Sequence, residues 1–255
     1  SASKLNKHCI LVVQSGGAVH LKPFIDAIPS VLFAFFLGSS TARALSDLLF
    51  GRANPSGKLP FTMANDLSDY RSMKNYPSDF AKVTLKRIRG GQGDPTKGFV
   101  QALEYREALM VGYRQFDTER LDVLYPFGHG LSYTDFTYKD LKVTTTENNI
   151  VVVSCSLENS GTREGSAVVQ LYVHELVPAF FGPDQELKAF TKITLAPKEK
   201  ARIEFELSED AFSHYRTELW RFVAGEGPFE IRLGESSRDI RLHTIVEPFK
   251  TRPKS

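Results

Sequence analysis

The sequence has little of several features that fix specialised folds. It holds only two cysteines in 255 residues, Cys9 and Cys155. Both sit in apolar runs, His8-Cys9-Ile-Leu-Val-Val13 and Val151-Val-Val-Ser-Cys155, where a free thiol behaves as a small hydrophobe. They are read as free thiols rather than a staple, since a chain of this size does not need one. No Asn-x-Ser/Thr acceptor occurs, because Asn54-Pro55-Ser56 has proline at the forbidden place. The longest apolar run, Ser30-Val-Leu-Phe-Ala-Phe-Phe-Leu-Gly38, falls far short of the roughly 20 residues that cross a bilayer. A surplus of one charge sign is also missing. Lys plus Arg number 32 against 30 Asp plus Glu, a formal net charge of +2. That balance gives no basic stripe of the kind nucleic acid selects, and 42% hydrophobic residues exclude an acidic disordered chain. Ser1-Ala-Ser-Lys-Leu-Asn6 is neither a start methionine nor a signal peptide, so the compartment stays unread.

Reactive motifs are scarce as well. The six histidines, His8, His20, His129, His174, His214 and His243, show no i, i+4 pair and no nearby cysteine. No metal site and no cofactor are therefore expected. There is no G-x-S-x-G elbow for a serine nucleophile. Arg89-Gly-Gly-Gln-Gly-Asp-Pro-Thr-Lys-Gly98 lacks the Gly-Lys-Ser/Thr ending of a phosphate loop and reads as a surface loop. Ser15-Gly-Gly17 lacks dinucleotide spacing and reads as a turn at a sheet edge. His129, between Gly128 and Gly130, is expected to be structural.

What is present divides into two halves of different period. Cys9 to Val13 and Val31 to Phe36 are continuous apolar runs, the pattern of strands covered on both faces. Between Ser39 and Phe50, Ala42, Leu45, Leu48 and Leu49 fall on one helical face, with Ser/Thr capping candidates before it and Gly51 after. Strand, loop, strand, helix is the pattern of an open α/β sheet. Residues 63–104 are the least periodic, and a helical or extended connector is expected from Phe99 to Tyr113. Phe127-Gly-His-Gly-Leu-Ser-Tyr133 reads as a tight turn.

After Thr134 the period becomes two. Val151, Val153, Cys155 and Leu157 share a face, and 168–173, 201–207, 229–233 and 240–243 alternate in the same way. Turn signals at Asn159-Ser-Gly161, Pro197-Lys198, Gly225-Glu-Gly-Pro228 and Gly234-Glu-Ser-Ser237 separate them. About seven short strands at this spacing predict an immunoglobulin- or fibronectin-type β-sandwich.

Carboxylates carry the only open question of chemistry. Glu104, Glu107, Asp117, Glu119 and Asp122 surround Gly112-Tyr-Arg114, and paired carboxylates can hydrolyse glycosides. Pairing with Arg106, Arg114 and Arg120 explains them equally well. Glu158, Glu164, Glu175 and Glu186 lie at strand ends or turns, where exposure is the default.

Several segments together resemble glycoside hydrolase family 3. Phe35-Phe36, Ala42-Arg-Ala-Leu-Ser-Asp-Leu-Leu-Phe-Gly51 and Asn54-Pro-Ser-Gly-Lys-Leu-Pro-Phe-Thr62 look like the end of its α/β sandwich domain. Gly112-Tyr-Arg-Gln-Phe-Asp117 and Tyr125-Pro-Phe-Gly-His-Gly-Leu-Ser-Tyr-Thr134 resemble its linker. Glu158-Asn-Ser-Gly-Thr-Arg-Glu-Gly165, Val168-Val-Gln-Leu-Tyr-Val173, Glu186-Leu-Lys-Ala-Phe190 and Phe229 to Ile240 resemble its fibronectin-type third domain. Phe36-Leu37-Gly38 and Ser39-Ser-Thr-Ala42 depart from the family's usual runs there.

The resemblance implies an α/β region followed by an all-β one: residues 1–62 ending a flavodoxin-like open sheet, a loop-rich linker over 63–135, a fibronectin III-like domain over 136–248 and a tail over 249–255. It implies a retaining β-glycosidase, β-glucosidase-like, in which an aspartate in a Ser/Ala-Asp-Trp/Tyr-type motif sits on an N-terminal barrel. No such motif is read here, and the acid/base glutamate also belongs upstream. No catalytic residue is assigned, the substrate-binding residues and the sugar stay unknown, and the chain alone is expected to be inactive.

The expected partners are the N-terminal barrel portion and, through the complete enzyme, a β-linked saccharide; nucleic acid and membrane are not expected. Gly38, Asn54, Gly57, Lys58, Pro60, Gly112, Tyr113, Arg114, Phe127, Gly128, Gly130 and Tyr133 are the structural candidates, with Lys58 and Arg114 satisfying buried carbonyls or carboxylates. Unpaired sheet edges and an apolar face including Phe33, Phe35 and Phe36 are expected where the barrel portion docks. The rival reading is a non-catalytic interaction or carbohydrate-binding module, with Tyr172, Phe180, Phe181 and Trp220 as an aromatic platform or as core. A weaker one keeps catalysis here through Glu104 or Glu107 and Asp117.

Overall fold

The computed structural model describes residues 6–75 and 105–247. The Arg89–Gly98 loop, Glu104 and the 249–255 tail lie outside the described residues. Strands β1 (Ile10–Val13) and β2 (Ser30–Phe33) pair in parallel, Ile10 opposite Ser30 and Val13 opposite Phe33. A parallel pair needs a crossover, and here it contains the short helix α1 (Lys22–Ile25), with proline in its first turn where a missing N–H leaves no bond unmade.

Three expectations for this half are corrected. β1 is not covered on both faces: only Val13 is buried and Ile10 is 50% exposed, because among the described residues β2 is its only strand partner. β2 stops at Phe33 rather than Phe36, since Phe35 turns into left-handed backbone at φ 50°. Phe33 and Phe35 nevertheless find partners in Phe61, at ring centroid distances of 5.6 and 6.1 Å, which leaves Phe36 bare. Helix α2 (Thr41–Leu49) follows a 3-10 turn over Gly38–Ser40. Ser40 at its N-cap makes no side-chain cap bond, and Thr41 Oγ1 instead donates to Gly38 O at 2.6 Å. No residue of α2 is fully buried; Leu45 and Leu48 are half-buried, while Ala42 and Leu49 are exposed.

The aperiodic stretch proves partly ordered. β3 (Met63–Ala64) pairs antiparallel with β4 (Val123–Tyr125). This brings Met63, Leu124 and Tyr125 onto a small core with Val13, Leu21, Val31 and Phe61. Helix α3 (Arg71–Asn75) and helix α4 (Tyr113–Thr118) lie between them in sequence. The connector expected over Phe99–Tyr113 is described only from Tyr105. Residues 105–112 are turns, and the helix begins where Gly112 adopts φ 58°.

The second half is a sandwich of seven strands among the described residues, as the two-residue period predicts. One sheet has the order β5 (Phe136–Thr145), β6 (Val151–Asn159), β9 (Lys200–Leu207). The other runs β13 (Asp239–Val246), β12 (Phe229–Ser236), β7 (Gly165–Glu175), β8 (Glu186–Leu195). Val151, Val153, Cys155 and Leu157 of β6 meet Ala167, Val169, Leu171 and Val173 of β7, and Phe229, Ile231 and Leu233 of β12. Full burial of each Val, Leu, Ile or Phe contributes about 1.5–3 kcal/mol, so this alternation fixes the register. A separate hairpin, β10 (Ser213–Arg216) with β11 (Arg221–Ala224), stands beside the sandwich. Gly234-Glu-Ser-Ser237 is not a turn throughout, since Gly234 lies inside β12 at a bulge. A Cβ there would stand 2.2 Å from Asp239 O. Both cysteines are free.

Candidate functional site

The densest polar construction is the junction between the two halves. The turn around Gly57 lies against Gly128–Gly130 through two backbone bonds, Leu59 N–H to His129 O and Gly128 N–H to Leu59 O, both 2.8 Å. The approach is so close that a Cβ on Gly130 would stand 2.3 Å from Gly57 O. Only glycine fits there. Lys58 Nζ donates to Gly130 O at 2.6 Å and lies 3.7 Å from Glu235. Burial lowers the Lys58 pKa and Glu235 opposes that shift. The His129 ring stacks on Tyr125 at 5.1 Å, and burial with nearby Lys58 holds its pKa below the usual value. It is a neutral wall of the turn.

Gly128 (φ 80°) rests on Gln170 of β7, whose Nε2 donates to Gly128 O (3.2 Å) and Glu235 O (2.6 Å), while Oε1 accepts from Tyr172 Oη (2.6 Å). Asn54 uses both ends of its amide. Nδ2 donates to Glu164 O at 2.9 Å; Oδ1 accepts from Ser132 Oγ at 3.0 Å and Tyr133 N at 2.8 Å. Tyr133 Oη donates to Leu48 O at 3.1 Å. Arg163 donates to Gly51 O and places its guanidinium 5.5 Å from the Tyr133 ring centre. Fully buried Asn159 donates to Arg163 O and Leu195 O and accepts from Thr134 Oγ1.

A second set of contacts clasps α4 to the sandwich. Tyr113 stacks on Phe127 at 4.7 Å and its Oη accepts from Leu187 N at 2.8 Å. Arg114 pairs with Glu186 at 2.7 Å. Arg238 donates to Asp117 Oδ1 at 2.7 Å and to Phe116 O at 2.9 Å, and Gln185 Nε2 lies 3.4 Å from Asp117 Oδ2. Arg232 ties Asp184 and Glu230 together, each at 2.7 Å. A shallow cleft of about 480 Å³ is bounded by these charged side chains.

The carboxylates therefore find other partners than their sequence neighbours. Asp117 pairs with Arg238 and Glu119 with Arg71, because the chain returns rather than because of local spacing. Asp117 has both oxygens engaged, while Glu107 is buried and Asp122 exposed. Glu175 is half-buried and burial raises its pKa; Glu158 and Glu186 pair with Lys200 and Arg114. One triplet with the letters of the nucleophile motif does occur, Ser68-Asp69-Tyr70. Its aspartate is a structural cap: Oδ2 accepts from Asp66 N at 2.9 Å, closing a capping box. Among the described residues no group of three His, Cys, Asp or Glu could hold a metal ion.

Lys58, Asn54, Tyr113, Arg114, Phe127, Gly128, Gly130 and Tyr133 thus meet at the junction as their turn and linker positions suggested. Gln170, Gln185, Arg163 and Arg238 had been missed. The available signal was a polar residue interrupting an apolar run, as Gln170 does in Val168–Val173. The platform residues separate: Tyr172 is buried, whereas Phe180, Phe181 and Trp220 are exposed.

The α/β half leaves several large apolar side chains open. Ile10, Phe24, Phe36, Leu37, Leu49 and Phe50 are exposed, Phe36 at 78%. Monomeric soluble proteins rarely leave many large apolar side chains open together.

Comparison with known proteins converges on one family. Residues 1–133 match the glycosyl hydrolase family 3 C-terminal domain, and residues 167–237 a fibronectin type III-like domain. The chain is 37% identical over 249 residues to the thermostable beta-glucosidase B of Acetivibrio thermocellus, covering 96% of this chain and 30% of that protein. It is 32% identical over 237 residues to an exo-alpha-(1->6)-L-arabinopyranosidase of Bifidobacterium longum, covering 92% of this chain and 28% of that one. The crystal structure of the Bifidobacterium adolescentis family 3 beta-glucosidase aligns with a TM-score of 0.84 at 32% identity, over 96% of this chain and 33% of that one. The chain spans about 30% of the length of the curated relatives it matches. It belongs to glycoside hydrolase family 3 and corresponds to the C-terminal part of that family's members.

Proposed function

We propose that this chain is the scaffold half of a retaining β-glycosidase that removes terminal β-linked glucosyl or related residues, with the catalytic carboxylates on an N-terminal barrel portion. The observation that carries this reading is the two-stranded parallel sheet of β1 and β2 with exposed Ile10, Phe24, Phe36, Leu37, Leu49 and Phe50 beside it. Parallel strands are almost always buried on both faces, and this open sheet provides a surface for the barrel portion. Retaining hydrolysis needs two carboxyl groups about 5–5.5 Å apart, and the junction holds its carboxylates in ion pairs instead. In this reading residues 1–62 close the α/β sandwich domain, 63–135 form the linker, 136–248 the fibronectin III-like domain and 249–255 a tail. The start of β5 at Phe136 supports the second boundary.

The test is hydrolysis of an aryl β-glucoside by the purified chain, alone and mixed with the N-terminal portion of the same protein. Silence alone and turnover on mixing is the expected result. Turnover by the chain alone, or silence in both, overturns the proposal; silence in both favours a non-catalytic carbohydrate-binding module, which the exposed aromatic side chains also suit.

A further inference from the structure

We infer that the junction carries an acid-sensitive latch: neutral His129 keeps the turn at residues 57–59 closed on Gly128–Gly130, and a proton on its ring opens that contact. The latch is built mainly from backbone. Leu59 N–H donates to His129 O and Gly128 N–H to Leu59 O, both at 2.8 Å, and Lys58 Nζ donates to Gly130 O at 2.6 Å. The imidazole lies half-buried in the same turn, stacked on Tyr125 of β4 with the ring planes 14° apart. Among the described residues no carboxylate pairs with that ring.

The charges around the ring leave no place for another cation. Lys58 faces it from the turn, and Glu235, Asp239 and Arg241 stand nearby on β12 and β13. Lys58 lies 3.7 Å from Glu235, and Arg241 lies 3.6 Å from Glu235 and 2.8 Å from Asp239. Two cations thus match two carboxylates. Protonated His129 would be a third cation, set beside a Lys58 side chain that is only 15% exposed. Salt screens partly buried charges much less than exposed ones, so the repulsion persists in ordinary buffers. Burial and then Lys58 hold the His129 pKa below the usual imidazole value, against a smaller opposing pull from Asp239. The phenols of Tyr125 and Tyr138, both with pKa raised by burial, add no charge.

The side that yields is the turn at 57–59. Residues 127–130 are fixed to the sandwich, since Phe127 O accepts from Ser237 N at 2.9 Å and Gly128 packs on Gln170 with no room for a Cβ. The bonds of Asn54 to Glu164, Ser132 and Tyr133, and of Arg238 to Asp117, use no imidazole. The two halves therefore stay joined while the latch opens. Because the folded ring takes up a proton less readily than the unfolded one, the latch is secure above about pH 6.5, the ordinary imidazole value. It is lost as pH falls from there towards the lower value of the folded ring.

Amide hydrogen exchange of the full chain, followed by NMR at pH 7.5 and pH 5.0 and corrected for the intrinsic pH dependence of exchange, is the test. The Leu59 and Gly128 amides should lose roughly fivefold or more in protection at pH 5.0. The amides of β6, and that of Tyr133 on Asn54, should keep theirs. His129→Gln, neutral at both pH values, should abolish the acid effect and leave protection at pH 7.5 unchanged. If that variant is already loose at pH 7.5, the unaltered chain decides: the Cε1–H resonance of His129 should shift over the pH range in which Leu59 and Gly128 lose protection. Equal protection of those two amides at both pH values overturns the inference, as does an acid effect that a folded His129→Gln retains. So does a ring that titrates while Leu59 and Gly128 stay protected, the mark of an imidazole that swings into solvent and leaves the backbone closed. No outcome involves glucoside turnover, so the latch and the scaffold reading fail separately.

Discussion

Asn54 shows how much of the junction one short side chain can hold. Its amide makes three hydrogen bonds, to Glu164, Ser132 and Tyr133. These join the α/β half, the linker and the sandwich. At about 1 kcal/mol net per bond, Asn54→Ala is expected to cost about 2–3 kcal/mol, read as a lowered urea midpoint with unchanged slope. An unmoved midpoint would show that water replaces the amide without loss. The Asn54-Pro-Ser-Gly sequence announces a turn, and glycines at 57, 128 and 130 announce tight backbone. Their partners are another matter. Gln170 and Arg163 reach the turn from β7 and from the loop before it, and no local pattern gives that.

The strands of the sandwich carry ionisable groups kept neutral by burial. On β6, burial pushes the Cys155 thiol up to about 11 from its ordinary value of 9.0. On β5 and β7 it pushes Tyr138 and Tyr172 well above the ordinary tyrosine value, and the Tyr138 hydroxyl is buried without a hydrogen-bond partner. Each is an acid whose folded pKa lies above its unfolded one. The unfolded chain therefore releases these protons first, and stability, complete below about pH 9, falls as pH rises from there towards 11. With about 1.4 kcal/mol per pKa unit, Cys155 alone accounts for roughly 2–3 kcal/mol of that loss. Chemical denaturation at pH 7, 9 and 10.5 checks it: Cys155→Val should flatten the decline between pH 9 and 10.5, and an equally steep decline would refute the assignment. The two-residue alternation made these strands legible. The bulge at Gly234 was not, because a glycine marks a turn and a close backbone approach equally well.

Across the whole molecule the two halves differ in how far they are closed. The sandwich buries its apolar faces against each other, whereas α2 buries none of its residues fully and β1 buries only Val13. The free chain is therefore expected to bind a hydrophobic dye such as anilinonaphthalene sulfonate. Phe36→Ser combined with Phe50→Ser should lower the emission by half or more without lowering the melting temperature, since both side chains are exposed. Dye emission that the double variant leaves unchanged would place the open apolar surface elsewhere.

The sequence by itself determined what depends on neighbours a few positions apart: the parallel pair, the amphipathic α2, the alternating strands and the glycine turns. The order of those motifs along the chain also carried the family resemblance. Only the tertiary structure decided which charges meet and which rings stay bare. Arg238 finds Phe116 across 122 positions and Asn54 finds Glu164 across 110, so their pairing exists only once the chain has returned on itself. Exposure follows the same logic. Tyr172 and Trp220 are both aromatic residues of the sandwich half, yet Tyr172 is buried on the outer face of β7 beneath Tyr113 of α4, 6.1 Å away, while the hairpin lifts Trp220 into solvent.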